Sequence, residues 1–125
     1  MKKEASFTTK FNRWAKKNLQ APALVEIKHT RGAKSFPFRE LKEHQRDWLR
    51  AAYSPNCQPW KIPDTGFAFL PADVILIGYM SAYVVIKYND FFVVIDGEKM
   101  LNEIKKSDRK SLTEERAKAI ADYIV

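Results

Sequence analysis

The chain has a single cysteine, Cys57, among 125 residues. That excludes an intrachain disulfide framework and a zinc site built from a cysteine cluster. A long apolar run is also missing. The most apolar stretch, 74–86, is interrupted by Gly78 and Ser81 and flanked by Asp73 and Lys87, short of the ~20 apolar residues a membrane helix needs. Met1-Lys2-Lys3-Glu4 leads into polar residues rather than the apolar segment of a secretory signal. The expectation is a soluble, cytoplasmic protein with no membrane partner. Phosphate-binding glycine loops, dinucleotide fingerprints and Ser-His-Asp arrangements are absent, as are repeats, low-complexity tracts and linkers. Residues 1–125 are therefore read as one domain of ordinary size, long enough to bury a core without covalent staples.

What is present is aromatic and basic. Phe, Tyr and Trp make up 13% of the chain, too much for a disordered charged tail. Lys and Arg number 22 against 15 acids, a net +7, and the excess is uneven. Residues 1–50 carry 13 basic and 5 acidic side chains (+8), residues 51–100 carry 3 and 5 (−2), and residues 101–125 carry 6 and 5 (+1). A basic half joined to a nearly neutral one points to an anionic partner such as a phosphate backbone. A solvated basic surface is the competing explanation, and charge alone does not separate them.

Ser6 can cap a first helix over about 7–17, with Phe7, Phe11, Trp14 and Ala15 at helical spacing. Ala23–His29 alternates as a strand does, and 31–38 reads as a loop. A second helix is expected over 38–53, with Phe38, Leu41, Trp48, Leu49 and Ala52 as its buried stripe. Strands follow at 60–63, 73–77, 83–88 and 91–95. Asn89-Asp90 closes a hairpin between the last two, and 78–81 is expected to turn 73–77 back onto 83–88. A short helix covers 98–106. Ser111-Leu112-Thr113-Glu114 has the capping-box pattern, opening a last helix with Leu112, Ala117, Ile120, Ala121 and Ile124 inward. This order predicts an α/β (α+β) fold, a mixed β-sheet flanked by helices.

Alternation in the first strand buries Val25 and Ile27 and places Glu26 and Lys28 together on the other face. A carboxylate beside an ammonium can ligate a divalent cation and position a water. It can equally be an exposed ion pair. Gln45 falls on the apolar stripe of the second helix, where its amide needs partners: a substrate, a water, a metal-bound ligand, or simply backbone. Asp73 heads an otherwise apolar strand. An acid there is paired, metal-bound or the cap of the preceding turn. His29 ends the first strand and could meet phosphate or solvent, whereas His44 faces about 100° from Gln45.

The series Glu26-Ile27-Lys28-His29-Thr30, Ser35-Phe36-Pro37-Phe38 and Glu43-His44-Gln45 resembles the core of RecU-type Holliday-junction resolvases, members of the PD-(D/E)xK nuclease superfamily. Tyr83–Ile95 and Arg109-Lys110-Ser111-Leu112 extend the resemblance, which covers about 23–53 and 82–113. One departure stands out. The family carries a metal-binding Asp on a strand ahead of Glu-x-Lys, but the only acid before Glu26 is Glu4, and the first Asp is Asp47. The resemblance thus implies a restriction-endonuclease-like core with a displaced, permuted acid. Asp73 would take its place, with Asp64 or Glu4 as weaker candidates.

On that resemblance, Asp73, Glu26 and the Ile27 carbonyl would hold Mg²⁺ or Mn²⁺, Lys28 would orient the attacking water, and Gln45 would position water or phosphate. Lys10, Arg13, Lys16, Lys17, Arg31, Lys34, Arg39, Lys42 and Arg46 would contact DNA phosphates. The implied activity is metal-dependent endonuclease cleavage of branched DNA by a homodimer. The alternative is a non-catalytic nucleic-acid-binding module on the same fold.

Overall fold

Residues 82–86 and 92–95 are apolar at every position, a pattern strands adopt when both faces are covered. The computed structural model describes residues 2–19, 23–54, 58–61, 74–78 and 80–125, and of 2–6, 58–61 and 74–77 it describes the backbone alone. In chain order the elements are α1 (Lys2–Asn18), β1 (Ala23–His29), β2 (Ser35–Pro37), a 3₁₀ turn (Phe38–Glu40), α2 (Glu43–Ala52), β3 (Gln58–Lys61), β4 (Val74–Ile77), β5 (Ser81–Lys87), β6 (Phe92–Asp96), α3 (Gly97–Lys106), β7 (Ser111–Thr113), α4 (Glu114–Ile120) and β8 (Tyr123–Ile124). Among the described residues no helix is long and apolar enough to cross a membrane.

The fold is α+β, around a mixed sheet in the order β1-β5-β6-β8. β1 runs parallel to β5, while β6 is antiparallel to both of its neighbours. A parallel pair needs a long crossover, and the chain between β1 and β5 includes α2. Alternate residues of the central strands serve opposite layers. Val85, Phe92 and Val94 pack with Phe7 and Phe11 of α1, joined by Val25 and Ile27. Ala82, Val84, Ile86, Val93 and Ile95 face the other layer, with Leu49 and Ala52 of α2, Met100 of α3 and Ala117 of α4. Gly97 permits the close approach of α2 and β5, because a Cβ there would lie 3.0 Å from Leu49 Cδ2 and 3.4 Å from the Ala82 Cβ.

Several expectations are corrected. β4 does not pair with β5. It pairs with β3 in a separate two-stranded sheet, so it is not a central strand of the main sheet. A strand has two edges, and those of β5 are taken by β1 and β6. The second helix starts at Glu43 rather than Phe38, because Phe38–Glu40 forms its own tight turn. Arg46 secures that turn, donating from Nε to the Leu41 carbonyl and from Nη2 to the Phe38 carbonyl, each at 2.8 Å.

Ser35–Pro37 is a strand rather than loop, paired antiparallel with β7. This pairing also overturns the cap at Ser111. Leu112 sits opposite Phe36 and its carbonyl accepts the Tyr88 hydroxyl at 2.8 Å, so α4 begins two residues later, capped by Thr113 Oγ1 accepting from the Arg116 N–H. Ile124 lies on β8 with 53% of its surface exposed, not inward on a helix. The hairpin at Asn89-Asp90 forms as expected, with the Tyr88 N–H donating to the Phe91 carbonyl at 2.9 Å.

Candidate active site

Glu26 and Lys28 lie two residues apart on β1 and so share the sheet face that meets α2. Their side chains are 21% and 18% exposed, and Lys28 Nζ is 3.5 Å from Glu26 Oε1. Gln45, on the first turn of α2, reaches the same atom: its Nε2 donates to Glu26 Oε1 at 2.8 Å. The other end of that amide accepts from the Lys42 N–H at 2.8 Å. The backbone N–H therefore fixes which way the Gln45 amide points, leaving its NH₂ as the donor toward the carboxylate. Glu26 Oε1 thus holds two donors, while Oε2 has no hydrogen-bond partner among the described residues.

β1 is the sheet's edge strand among the described residues. The Thr30 N–H donates to the Lys87 carbonyl at 3.0 Å across the parallel register. Strand backbone groups alternate in direction, so Glu26 and Lys28 turn their peptide groups toward β5. Ile27 turns its carbonyl outward to the open edge. The described residues therefore offer a divalent cation two oxygens, Glu26 Oε2 and the Ile27 carbonyl, of the hard type that Mg²⁺ and Mn²⁺ prefer. They fit such an ion as part of its shell. Asp73 and Asp64 lie outside the described residues, as does the side chain of Glu4. No group of three metal-ligating side chains occurs among the described residues.

At the C-terminal end of β1 the two layers meet in a groove of about 530 Å³. Its lining includes Lys28, His29, Thr30, Arg31, Ser35 and Glu40. The turn closing it has the Ala33 N–H donating to the Thr30 carbonyl at 3.2 Å. Arg31 (φ 56°) and Gly32 (φ 90°) both take left-handed backbone, a type I′ pattern that suits Gly and strains Arg.

The basic residues divide by layer. Lys10, Arg13, Lys16 and Lys17 are on α1, exposed, across the sheet from Glu26. Arg31, Lys34, Arg39 and Lys42 are exposed on the chain that runs from β1 into α2. Arg46 is half-buried and spends its guanidinium on two carbonyls. Two groups near the groove are absent from the sequence-based set. Glu40 lines it from the 3₁₀ turn, a position hidden while 38–53 reads as one helix. Lys87 lies opposite His29 in the β1–β5 register. Its ammonium is held below the ordinary lysine range, first by partial burial and then by Lys10 nearby. A lone lysine closing an apolar strand is the one signal that could have marked it.

Comparisons with protein families, with curated proteins and with solved structures found no match for this chain.

Proposed function

We propose that the protein is a metal-dependent endonuclease that hydrolyses phosphodiester bonds in branched DNA, acting as a homodimer so that two strands can be cut symmetrically. The observation that carries this reading is the convergence of Lys28 and Gln45 on one oxygen of Glu26, whose Oε2 has no partner among the described residues, with a groove beside Lys28.

Glu26 and the Ile27 carbonyl, with Asp73 as the further candidate acid, would hold Mg²⁺ or Mn²⁺. The chemistry such a cation supplies when bound is Lewis-acid polarisation of the phosphoryl group and a lowered pKa for water. The chain's own residues do the rest. Gln45 locks the Glu26 carboxylate in one orientation. Lys28 places a positive charge where negative charge grows on the phosphate oxygens and holds the attacking water by hydrogen bond. Arg31, Lys34, Arg39 and Lys42 supply phosphate contacts that set the strand's path without reading its sequence.

The alternative is a non-catalytic nucleic-acid-binding module on the same fold. The two readings separate when protein is incubated with four-way junction, flap and linear duplex DNA in Mg²⁺ or EDTA. The nuclease reading expects Mg²⁺-dependent cleavage that disappears in Glu26→Gln. Binding without cleavage under every condition establishes the module instead.

A further inference from the structure

The groove at the end of β1 is lined unlike a plain phosphate site. Lys28, His29, Arg31 and Ser35 carry donor groups, the Thr30 hydroxyl being bonded to the Lys87 carbonyl, and Glu40 is the one carboxylate among its described lining residues. The chain leaves the turn at Ala33, follows the groove wall as Ser35–Pro37 and then reaches Glu40, so donors and acceptor are set at separate points. Glu40 is exposed and makes no hydrogen bond or ion pair among the described residues. Glu43, three residues on, is paired with Arg50 at 3.3 Å.

At the donor end, Arg31 keeps a left-handed backbone, and its N–H donates to His29 Nδ1 at 2.7 Å. The neutral His29 ring therefore carries its proton on Nε2, as a donor. Left-handed backbone strains a non-glycine residue, and strain of this kind gathers where chain geometry serves a ligand. A volume of about 530 Å³ falls in the range of small-molecule sites, roughly 300–1,000 Å³, and far exceeds one phosphate. Glu40 would also repel a bare anion placed beside it.

We propose that this groove is a subsite for one unpaired nucleotide: its phosphate lies against Lys28, Arg31 and His29, and its base edge against Glu40, which selects guanine. Guanine alone offers two adjacent donors, N1–H and the N2 amino group, to one carboxylate. Adenine and cytosine set their amino group beside an acceptor, and thymine sets N3–H between two carbonyls. That edge of guanine is engaged in a base pair within duplex DNA, so the base enters only when unpaired, as at a branch or flap. The proposal rests on the phosphodiester reading, since it names the nucleotide beside the cleavage site.

The test is a titration in EDTA, by calorimetry, of wild-type protein and Glu40→Gln with dGMP, dAMP, dCMP, dTMP and inorganic phosphate. Wild type is expected to bind dGMP about tenfold more tightly than the other nucleotides, the discrimination typical of a bidentate base contact. Glu40→Gln should lose that preference while binding the five ligands alike. Equal affinity of wild type for all four nucleotides, or a guanine preference that survives in Glu40→Gln, overturns the proposal. Glu40 is exposed, and unchanged circular dichroism of the variant excludes misfolding. Because EDTA removes cleavage from the readout, selective dGMP binding without Mg²⁺-dependent cleavage would sink the nuclease reading alone. Cleavage without nucleotide preference would sink the groove alone.

Discussion

Two carboxylate-centred networks sit on strands of the same sheet, and they are finished to different degrees. Around Asp96, at the end of β6, the bonding is complete. Oδ1 accepts the Tyr53 hydroxyl at 2.5 Å, Oδ2 accepts the Lys99 N–H at 3.3 Å, and the Asp96 N–H donates to Asp122 Oδ2 at 2.6 Å. Asp122 Oδ1 takes Lys99 Nζ at 2.7 Å. These contacts cap α3, anchor the end of α2 and pin the C-terminal segment beside β6. Around Glu26, two donors crowd one oxygen and the other has none among the described residues. Polar groups held in a structure normally find partners, and a saturated network rigidifies what it joins. The first acts as a brace, and the second is the one proposed above as a site. Had both been saturated, Glu26 and Lys28 would be only an ion pair within β1, tied to α2 by Gln45.

The largest effect is expected at the site: Glu26→Gln or Lys28→Ala should lower Mg²⁺-dependent cleavage by about 10²–10⁴-fold, the range for removing a positioned proton-transfer or charge-stabilising group, with little change in melting temperature. Asp96→Ala should do the opposite, costing about 1–3 kcal/mol by removing a helix cap and the shorter of the Tyr53 hydroxyl's two bonds, the one to the Ala82 carbonyl remaining, read by thermal unfolding, with cleavage per folded molecule unchanged.

Tyr53→Phe sharpens the contrast at about 1 kcal/mol and alters the alkaline limb. Burial, then the bond to Asp96, pushes the Tyr53 phenol above its ordinary range. The unfolded chain therefore ionises first, and stability falls as pH climbs past about 10. Urea titrations at pH 8 and pH 11 should show that loss in wild type and less of it in Tyr53→Phe.

The smallest effect belongs to Glu103. Hydrogen bonds from Arg116 hold its carboxyl below the usual carboxylate range. The pair's contribution is present at neutral pH and lost as pH falls below about 4. Arg116 is largely exposed, so Glu103→Gln should cost only about 0.2–1 kcal/mol at neutral pH, and nothing once wild type is protonated.

Legibility in the sequence followed the range of the interactions. β1 was readable because alternation is local, and it placed Glu26 with Lys28. Gln45 was readable as a polar residue on an apolar stripe, and the structure supplies its partners, Glu26 and the Lys42 N–H. What could not be read depends on distant partners. Ser35–Pro37 and Ser111–Thr113 are strands only because they pair across some 75 residues (too short to declare themselves by period), and that pairing moved the cap from Ser111 to Thr113. β4 pairs with β3 although it is the strand just before β5 in sequence, because β1 and β6 already hold both edges of β5. Glu40 was hidden by a 3₁₀ turn that Arg46 closes from a helix away.

The most direct test is cleavage of a four-way DNA junction by wild type and Glu26→Gln, in Mg²⁺ and in EDTA, at matched folded concentrations. The account expects paired, symmetrical nicks from wild type in Mg²⁺ alone, and none from Glu26→Gln despite an unchanged melting temperature. Equal cleavage by both proteins, or none by wild type while Glu26→Gln melts several degrees lower, would make Glu26 a structural brace like Asp96 and contradict the account.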